Sequence, residues 1–331
     1  MTVSQSPENV RQGAPRAPSR HWSTIGEATC VWGIWFLFGL YRLFGRALFR
    51  MVLYPVVTYY WLTHPFARRA SRDYLRRMQA ATGAVTGPGG AEPGARHTLR
   101  HLFSFADTLL DKLLAIGGTR FDNIAREGEE VLLRQIEQGK GGIIVTAHMG
   151  CLELCRVLAT KRRGMRLTVL VHTAHAQRFN RVLARLDPGS VVQLYQVDDI
   201  SPATAIELAD RVRAGEFVAI AGDRAPVRGG RAIRVPFLGA PARFPVGPYV
   251  LTSLIGCPLY AMGCVRTARG YLLRFTELAA EVRLPRAQRE ATLTALVTSY
   301  AAWLEALLQT SPYDWFNFYD FWADDEIRTG R

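Results

Sequence analysis

Residues 143–154 read Ile143-Ile144-Val145-Thr146-Ala147-His148-Met149-Gly150-Cys151-Leu152-Glu153-Leu154. Ile143–Ala147 is a short, unbroken run of β-branched and small residues, bounded upstream by Gly139-Lys140-Gly141-Gly142. A strand with no polar alternation is one covered on both faces, as in a parallel sheet. His148 and Gly150 fall where the strand gives way to a loop, and apolar residues at helical spacing follow through roughly Lys161. The stretch is therefore a strand–loop–helix unit.

Working outward, the same unit recurs. Strands are expected at Leu167–Val171, Val191–Tyr195 and Phe217–Ala221, alternating with helices at Arg178–Leu186 and Ala203–Ala214. Upstream, His101–Leu114 and Ile124–Gln138 have helical periodicity. Downstream, Pro258–Arg266 and Tyr271–Phe275 read as a closing hairpin, and Gln288–Leu308 as a final amphipathic helix. Alternation of this kind predicts an α/β fold with a mostly parallel central sheet flanked by helices.

The N-terminal third differs. Residues 1–22 form a basic, Ser- and Pro-rich tail expected to be disordered. Residues 23–82 form a hydrophobic helical segment, densest from Cys30 to Leu62, where Trp, Phe, Tyr and Leu are interrupted by Arg42, Arg46 and Arg50. No charge-free run of about 18 residues occurs, so the pattern suits an interfacial or tilted membrane-associating helix with arginines snorkelling to headgroups. A hydrophobic helical hairpin packed on the body is the alternative. Arg68, Arg69, Arg72, Arg76 and Arg77 follow, and positive charge beside an apolar segment favours the cytoplasmic face of a membrane. Residues 83–95 read as a Gly/Pro linker, and 96–322 as the main domain.

The chain has 331 residues, 49% hydrophobic and 21% charged, enough for one packed α/β domain with an appended segment. Its formal charge is +13, and Lys112, Lys140 and Lys161 are the only lysines. Arginine-dominated charge suits an anionic partner: a nucleic acid, an anionic lipid surface or an acidic carrier protein. No nucleic-acid-binding motif accompanies it, so no nucleic acid is expected. Five cysteines without a Cys-x-x-Cys pair point to free thiols in a reducing compartment.

The residues that could carry chemistry begin with His148 and Glu153. Strand ends in α/β sheets face the crevice, and Gly150 keeps the backbone open there. Free amides of the following helix could meet a developing oxyanion. His148 and Glu153 are five positions apart, about 500° of helical rotation, so the pair meets only if His148 precedes the helix and folds back. A carboxylate on one imidazole nitrogen would leave the other to accept a hydroxyl proton. A helix-capping histidine beside a surface glutamate is the other reading of the same spacing. Arg224, Arg228, Arg231, Arg234 and Arg243 follow Asp223 in a Gly-rich setting, fit for a phosphate or an acidic helix, or for a solvated loop. Cys151 and Cys155 lack further ligands at zinc spacing, so neither metal nor cofactor is expected. Gly-x-Ser-x-Gly, Walker and dinucleotide patterns are absent.

A strand ending in His, then four residues, then an acid resembles the glycerolipid and lipid A acyltransferase superfamily. The chain resembles most the late lipid A (HtrB-like) acyltransferases, including relatives found with aryl-polyene and xanthomonadin-type pigment pathways. Supporting segments are Ala221-Gly222-Asp223-Arg224, Val235-Pro236-Phe237-Leu238-Gly239, Phe244-Pro245-Val246-Gly247-Pro248, and Pro312 with Trp315. The resemblance implies acyl transfer from an acyl thioester of acyl-carrier protein or CoA to a hydroxyl of a membrane lipid, at the cytoplasmic face of a bacterial inner membrane. It implies His148 as base, Glu153 as its partner, and Asp223 at a second acidic site. Two departures stand out. The arginine of the lipid A branch has no clean counterpart in Val171-His172-Thr173-Ala174-His175, and Phe316–Trp322 is aromatic where that branch carries basic residues. The competing class is a non-catalytic lipid or carrier-protein binding module of the same fold.

Overall fold

The computed structural model describes residues 31–119, 121–155, 165–171, 192–196, 202–224 and 230–323. The chain order is α1 (Val31–Thr63), α2 (Pro65–Thr82), α3 (Ala95–Ile116), β1 (Ile124–Glu127), α4 (Glu129–Glu137), β2 (Gly142–Thr146), β3 (Leu167–Val171) and β4 (Val192–Gln196). Then come α5 (Pro202–Arg213), β5 (Phe217–Ala221), β6 (Ala232–Phe237), β7 (Ala240–Pro245), α6 (Gly247–Ile255), β8 (Leu259–Thr267), β9 (Gly270–Ala279) and α7 (Arg289–Thr310).

Among the described residues, seven strands form one sheet in the order β1-β9-β8-β2-β5-β3-β4, and β6 and β7 make a separate antiparallel hairpin. Within the large sheet only β8 and β9 pair antiparallel, as the expected hairpin requires; the other described pairings are parallel. β2 lies inside the sheet between β8 and β5, and every residue of it is buried. Its alternate side chains feed two cores. Ile143 and Val145 join Leu208, Val218, Tyr249 and the α7 residues Val297 and Leu304. Ile144 joins Leu132, Phe217, Tyr260 and Met262 on the opposite face. Each of these large apolar side chains contributes roughly 1.5–3 kcal/mol on burial.

One expected helix begins late. Ile124–Glu127, assigned to a helix by its periodicity, is the edge strand β1 paired with β9, and the helix spans only Glu129–Glu137. Gly128 separates the two with a φ of 71°, and a Cβ there would overlap the Phe275 carbonyl oxygen. Periodicity of a short apolar pattern cannot see such a backbone break. The helix expected at 178–186 lies outside the described residues.

The N-terminal membrane helix is not supported as a span. Among the described residues, the one helix long and apolar enough to cross a membrane is α7, and it packs in the core through Leu293, Val297, Tyr300, Leu304, Leu307 and Leu308. α1 kinks at Gly45, whose φ of 75° and ψ of −173° are not helical, and it packs one face on α3. Phe49, Leu53 and Val57 meet Leu102, Leu110 and Leu114 there. Arg46 and Arg50 do not snorkel to headgroups. They turn towards Asp107 and Asp111, fully buried on α3, which Arg266 of β8 also grips. The packed-hairpin alternative thus describes one face of α1; Leu43, Phe44, Met51, Tyr54, Tyr59 and Leu62 stay exposed on the other.

Candidate active site

Parallel pairing of β2 and β5 places Thr146 opposite Ala221, the last residue of each strand. Two residues beyond each end stand His148 and Asp223. Gly222 makes the approach possible: its amide donates to the Thr146 carbonyl at 2.8 Å, and a Cβ at that position would overlap Val145. The crevice outside strand C-termini is where α/β sheets place their ligands.

The two side chains meet directly. His148 Nδ1 lies 2.8 Å from Asp223 Oδ1, and the His148 backbone amide donates to Oδ2 at 2.9 Å. Trp315 Nε1 and Asn317 Nδ2 also donate to Oδ2, each at 2.9 Å. The Asp223 carboxylate is wholly buried. Burial alone would favour its neutral form, but the His148 and Arg224 charges and these donors hold it far below the usual carboxylate range. His148 moves downward too, through burial and the Arg224 charge, with Asp223 opposing. At neutral pH the pair is therefore an ionised aspartate accepting Nδ1–H from a neutral imidazole. The remaining nitrogen, Nε2, is an acceptor on a side chain that keeps 36% of its surface exposed.

The loop carrying His148 is held by the segment after α7. Gly150 N donates to Asp314 O and Phe316 N to His148 O, both at 2.8 Å, and Met149 bridges Trp315 antiparallel. That segment is anchored in turn. Tyr74 donates to the Pro312 carbonyl at 2.9 Å, His101 Nε2 donates to the Trp315 carbonyl at 2.8 Å, and buried Asp314 accepts from Ser104 Oγ at 2.8 Å and Arg266 N at 2.6 Å. The aromatic run after Pro312 is core: Trp315 is fully buried, with Tyr74, Phe237 and Phe321 at ring distances of 5.0, 5.4 and 4.8 Å.

The partner expected of His148 was Glu153, and the structure puts Asp223 there instead. Glu153 faces Lys112 of α3, with Oε1 3.4 Å from Nζ, while its buried Oε2 has no partner. Nδ1 is engaged by the residue beyond the end of the neighbouring strand β5 and not by the nearer carboxylate in sequence. Lys112 carries no motif spacing in the sequence, yet its charge reaches His148.

Gly150 has a different part from the open backbone expected. With φ at 41° it packs so closely on Cys264 that a Cβ would overlap the carbonyl oxygen, and its amide is already spent on Asp314. The amides of His148 and Met149 are taken as well, by Asp223 and the Ala147 carbonyl. An oxyanion would be met by other donors.

Of the arginines after Asp223, Arg224 joins the site: it is almost fully buried, donates to Asn317 Oδ1 at 2.8 Å and sets its charge against His148. Arg231 instead pairs with Glu290 at the surface, and Arg243 stands opposite Arg234 in the β6–β7 hairpin. Arg228, His172 and His175 lie outside the described residues. Cys151 and Cys155 are buried small side chains, and among the described residues no three His, Cys, Asp or Glu side chains converge on a metal position.

A protein-family model described as bacterial lipid A biosynthesis acyltransferase matches residues 116–323. No curated protein matches the chain. The matched residues exceed half of the sequence and include His148, Asp223 and the segment that binds them, and the chain belongs to the bacterial lipid A biosynthesis acyltransferase family.

Proposed function

We propose that the chain moves an acyl group from an acyl thioester, carried by acyl-carrier protein or CoA, to a hydroxyl of a membrane lipid, with His148 as general base. The observation that carries this reading is the 2.8 Å contact between His148 Nδ1 and the buried Asp223 carboxylate, which leaves Nε2 free to take a proton. His148 Nε2 accepts the hydroxyl proton as that oxygen attacks the thioester carbonyl. The tetrahedral intermediate then collapses, the C–S bond breaks, and the proton passes from the imidazolium to the departing thiolate. Asp223 holds the tautomer and stabilises the transient imidazolium. Lys112, steadied by Glu153, supplies positive charge beside the developing oxyanion. Neither metal nor cofactor takes part.

The placement we propose is the cytoplasmic face of a bacterial inner membrane. The exposed face of α1 rests at the lipid interface, with the basic surface of α2 beside it. The acceptor is a lipid A precursor, a phospholipid or a pigment headgroup.

Purified protein in mixed vesicles, given a labelled acyl donor, tests the reading. His148→Ala should abolish the product one acyl group heavier, seen by mass spectrometry of the lipids, while melting as the wild type does. Wild-type transfer rates in that variant would sink it.

A further inference from the structure

A hollow at the start of α3 is lined by neither His148 nor Asp223. Val85, Thr86, Arg96, His97, Arg100 and Tyr313 line a hollow of about 480 Å³. That volume falls in the range of small-molecule pockets, roughly 300–1,000 Å³, and far exceeds the needs of a bare ion.

The polar lining consists of donors. His97 Nδ1 accepts the Gly94 amide at 3.0 Å in the cap of α3, which fixes the tautomer and leaves the proton on Nε2. The Arg96 and Arg100 side chains are exposed at the rim, and no carboxylate is among the lining residues. The nearest glutamate in sequence, Glu92, is engaged by Arg76. The Arg100 guanidinium lies 4.3 Å over the Tyr313 ring. Tyr313 is nine-tenths buried, and its hydroxyl lies against that guanidinium. The first turn of a 22-residue helix adds its positive dipole end.

We propose that this hollow binds the phosphate group of a phosphorylated ligand, with Arg96, Arg100 and His97 Nε2–H on the phosphate oxygens and Tyr313 as the floor. Two guanidinium groups with a neutral N–H donor match the several acceptor oxygens of a phosphate better than the two of a carboxylate. The volume leaves room for the glycerol or sugar that carries it. Tyr313 precedes Asp314, whose carbonyl accepts the Gly150 amide, so the ligand would sit behind the segment that holds the His148 loop.

Isothermal titration calorimetry on the full chain in non-ionic detergent tests this, with inorganic phosphate and, below its micellar concentration, dihexanoyl phosphatidic acid as probes. Both should bind the wild type, and Arg96→Gln/Arg100→Gln should weaken both by about tenfold or more. A phosphatidic acid bound markedly tighter than phosphate identifies a lipid headgroup as the source; equal affinities identify the free anion. Failure of both probes to bind the wild type, or wild-type affinity in the double variant, overturns the proposal. Should that variant not fold, Arg96→Glu at its exposed position must weaken binding in the same direction, and unchanged affinity there overturns the proposal equally. Neither arginine belongs to the His148 machinery, so failure here leaves the acyl-transfer reading untouched.

Discussion

His148 Nδ1 and Asp223 Oδ1 stand 2.8 Å apart across the ends of two neighbouring parallel strands, while Glu153, five residues from His148 in sequence, holds Lys112 at 3.4 Å. Register explains this. Thr146 pairs with Ala221, so the residues two positions beyond each are side by side whatever follows in either loop. The carboxylate nearest in sequence loses to the one nearest in the sheet.

Asp223→Asn should therefore cost more transfer than Glu153→Gln. An asparagine cannot stabilise an imidazolium and can impose the wrong tautomer, so the expected loss in kcat is on the order of 10²–10⁴-fold. Glu153→Gln removes one ion pair from Lys112, and a loss of roughly tenfold is expected. Steady-state rates of both variants on one donor–acceptor pair decide the matter. Equal losses would return the imidazole partner to Glu153.

Gly150 offers a packing test. Any side chain there overlaps the Cys264 carbonyl, and a φ of 41° is unfavourable for other residues. Gly150→Ala should destabilise the protein by about 2–4 kcal/mol, read from urea unfolding, with lost activity following lost fold. A stable, inactive Gly150→Ala would instead give this residue a part in the chemistry.

Much of this architecture was legible in the sequence, and the exceptions share one cause. The strand–helix alternation, the β8–β9 hairpin and α7 follow from local pattern. So does the position of His148 at the end of β2. Arg46 and Arg50 from α1 and Arg266 from β8 converge on Asp107 and Asp111 of α3, elements scattered over more than 200 residues. No spacing rule joins them, and Arg46 and Arg50 in an apolar helix look the same whether they reach for lipid or for buried aspartates. Gly128 and Gly150 were visible as glycines, but the carbonyls that press on them come from β9 and β8.

That arginine cluster predicts a large stability effect. Burial opposes the charge on Asp107, and a hydrogen bond from Arg50 with the charges of Arg266 and Arg46 overcomes it, holding the carboxyl below its ordinary value. Arg266→Met would leave two buried carboxylates short of their most enclosed cation. A loss of about 3–5 kcal/mol in denaturant unfolding is expected. Asp107→Asn combined with Arg266→Met should lose less than the sum of the single changes, since each removes what strands the other.

His101 sets a dependence of stability on pH. It is fully buried, with Ser71 Oγ donating to Nδ1 at 2.9 Å and Nε2 donating to the Trp315 carbonyl. Burial lowers its pKa from 6.5 to about 4, with the Trp315 hydrogen bond opposing. Above pH 6.5 the group is neutral folded or unfolded and contributes no pH dependence. Between 6.5 and about 4 the unfolded chain binds a proton that the folded one refuses, so stability falls as pH falls, by up to about 1.4 kcal/mol per pH unit. Thermal unfolding between pH 7.5 and 5 should show this slope, and His101→Gln should flatten it. An unchanged slope in that variant would place the titrating group elsewhere.

The rate of acyl transfer should depend on pH through His148, in a direction set by its neighbours. Burial and the charges of Arg224 and Lys112 push its pKa below 6.5, against the pull of Asp223. The base form then predominates at neutral pH, so kcat/KM should be level from about pH 7 upward and fall only on the acid side of 6.5. Lys112→Met removes one of the charges that favour the neutral imidazole, so the acid limb should move to higher pH. The same change removes positive charge from the proposed oxyanion position, so the plateau should drop by roughly ten- to a hundredfold. These two effects separate the roles of Lys112. A lower plateau with an unmoved limb would make it an oxyanion donor alone, and a moved limb with an unchanged plateau would make it a tuner of His148 alone. If neither moves, Lys112 serves only to hold Glu153.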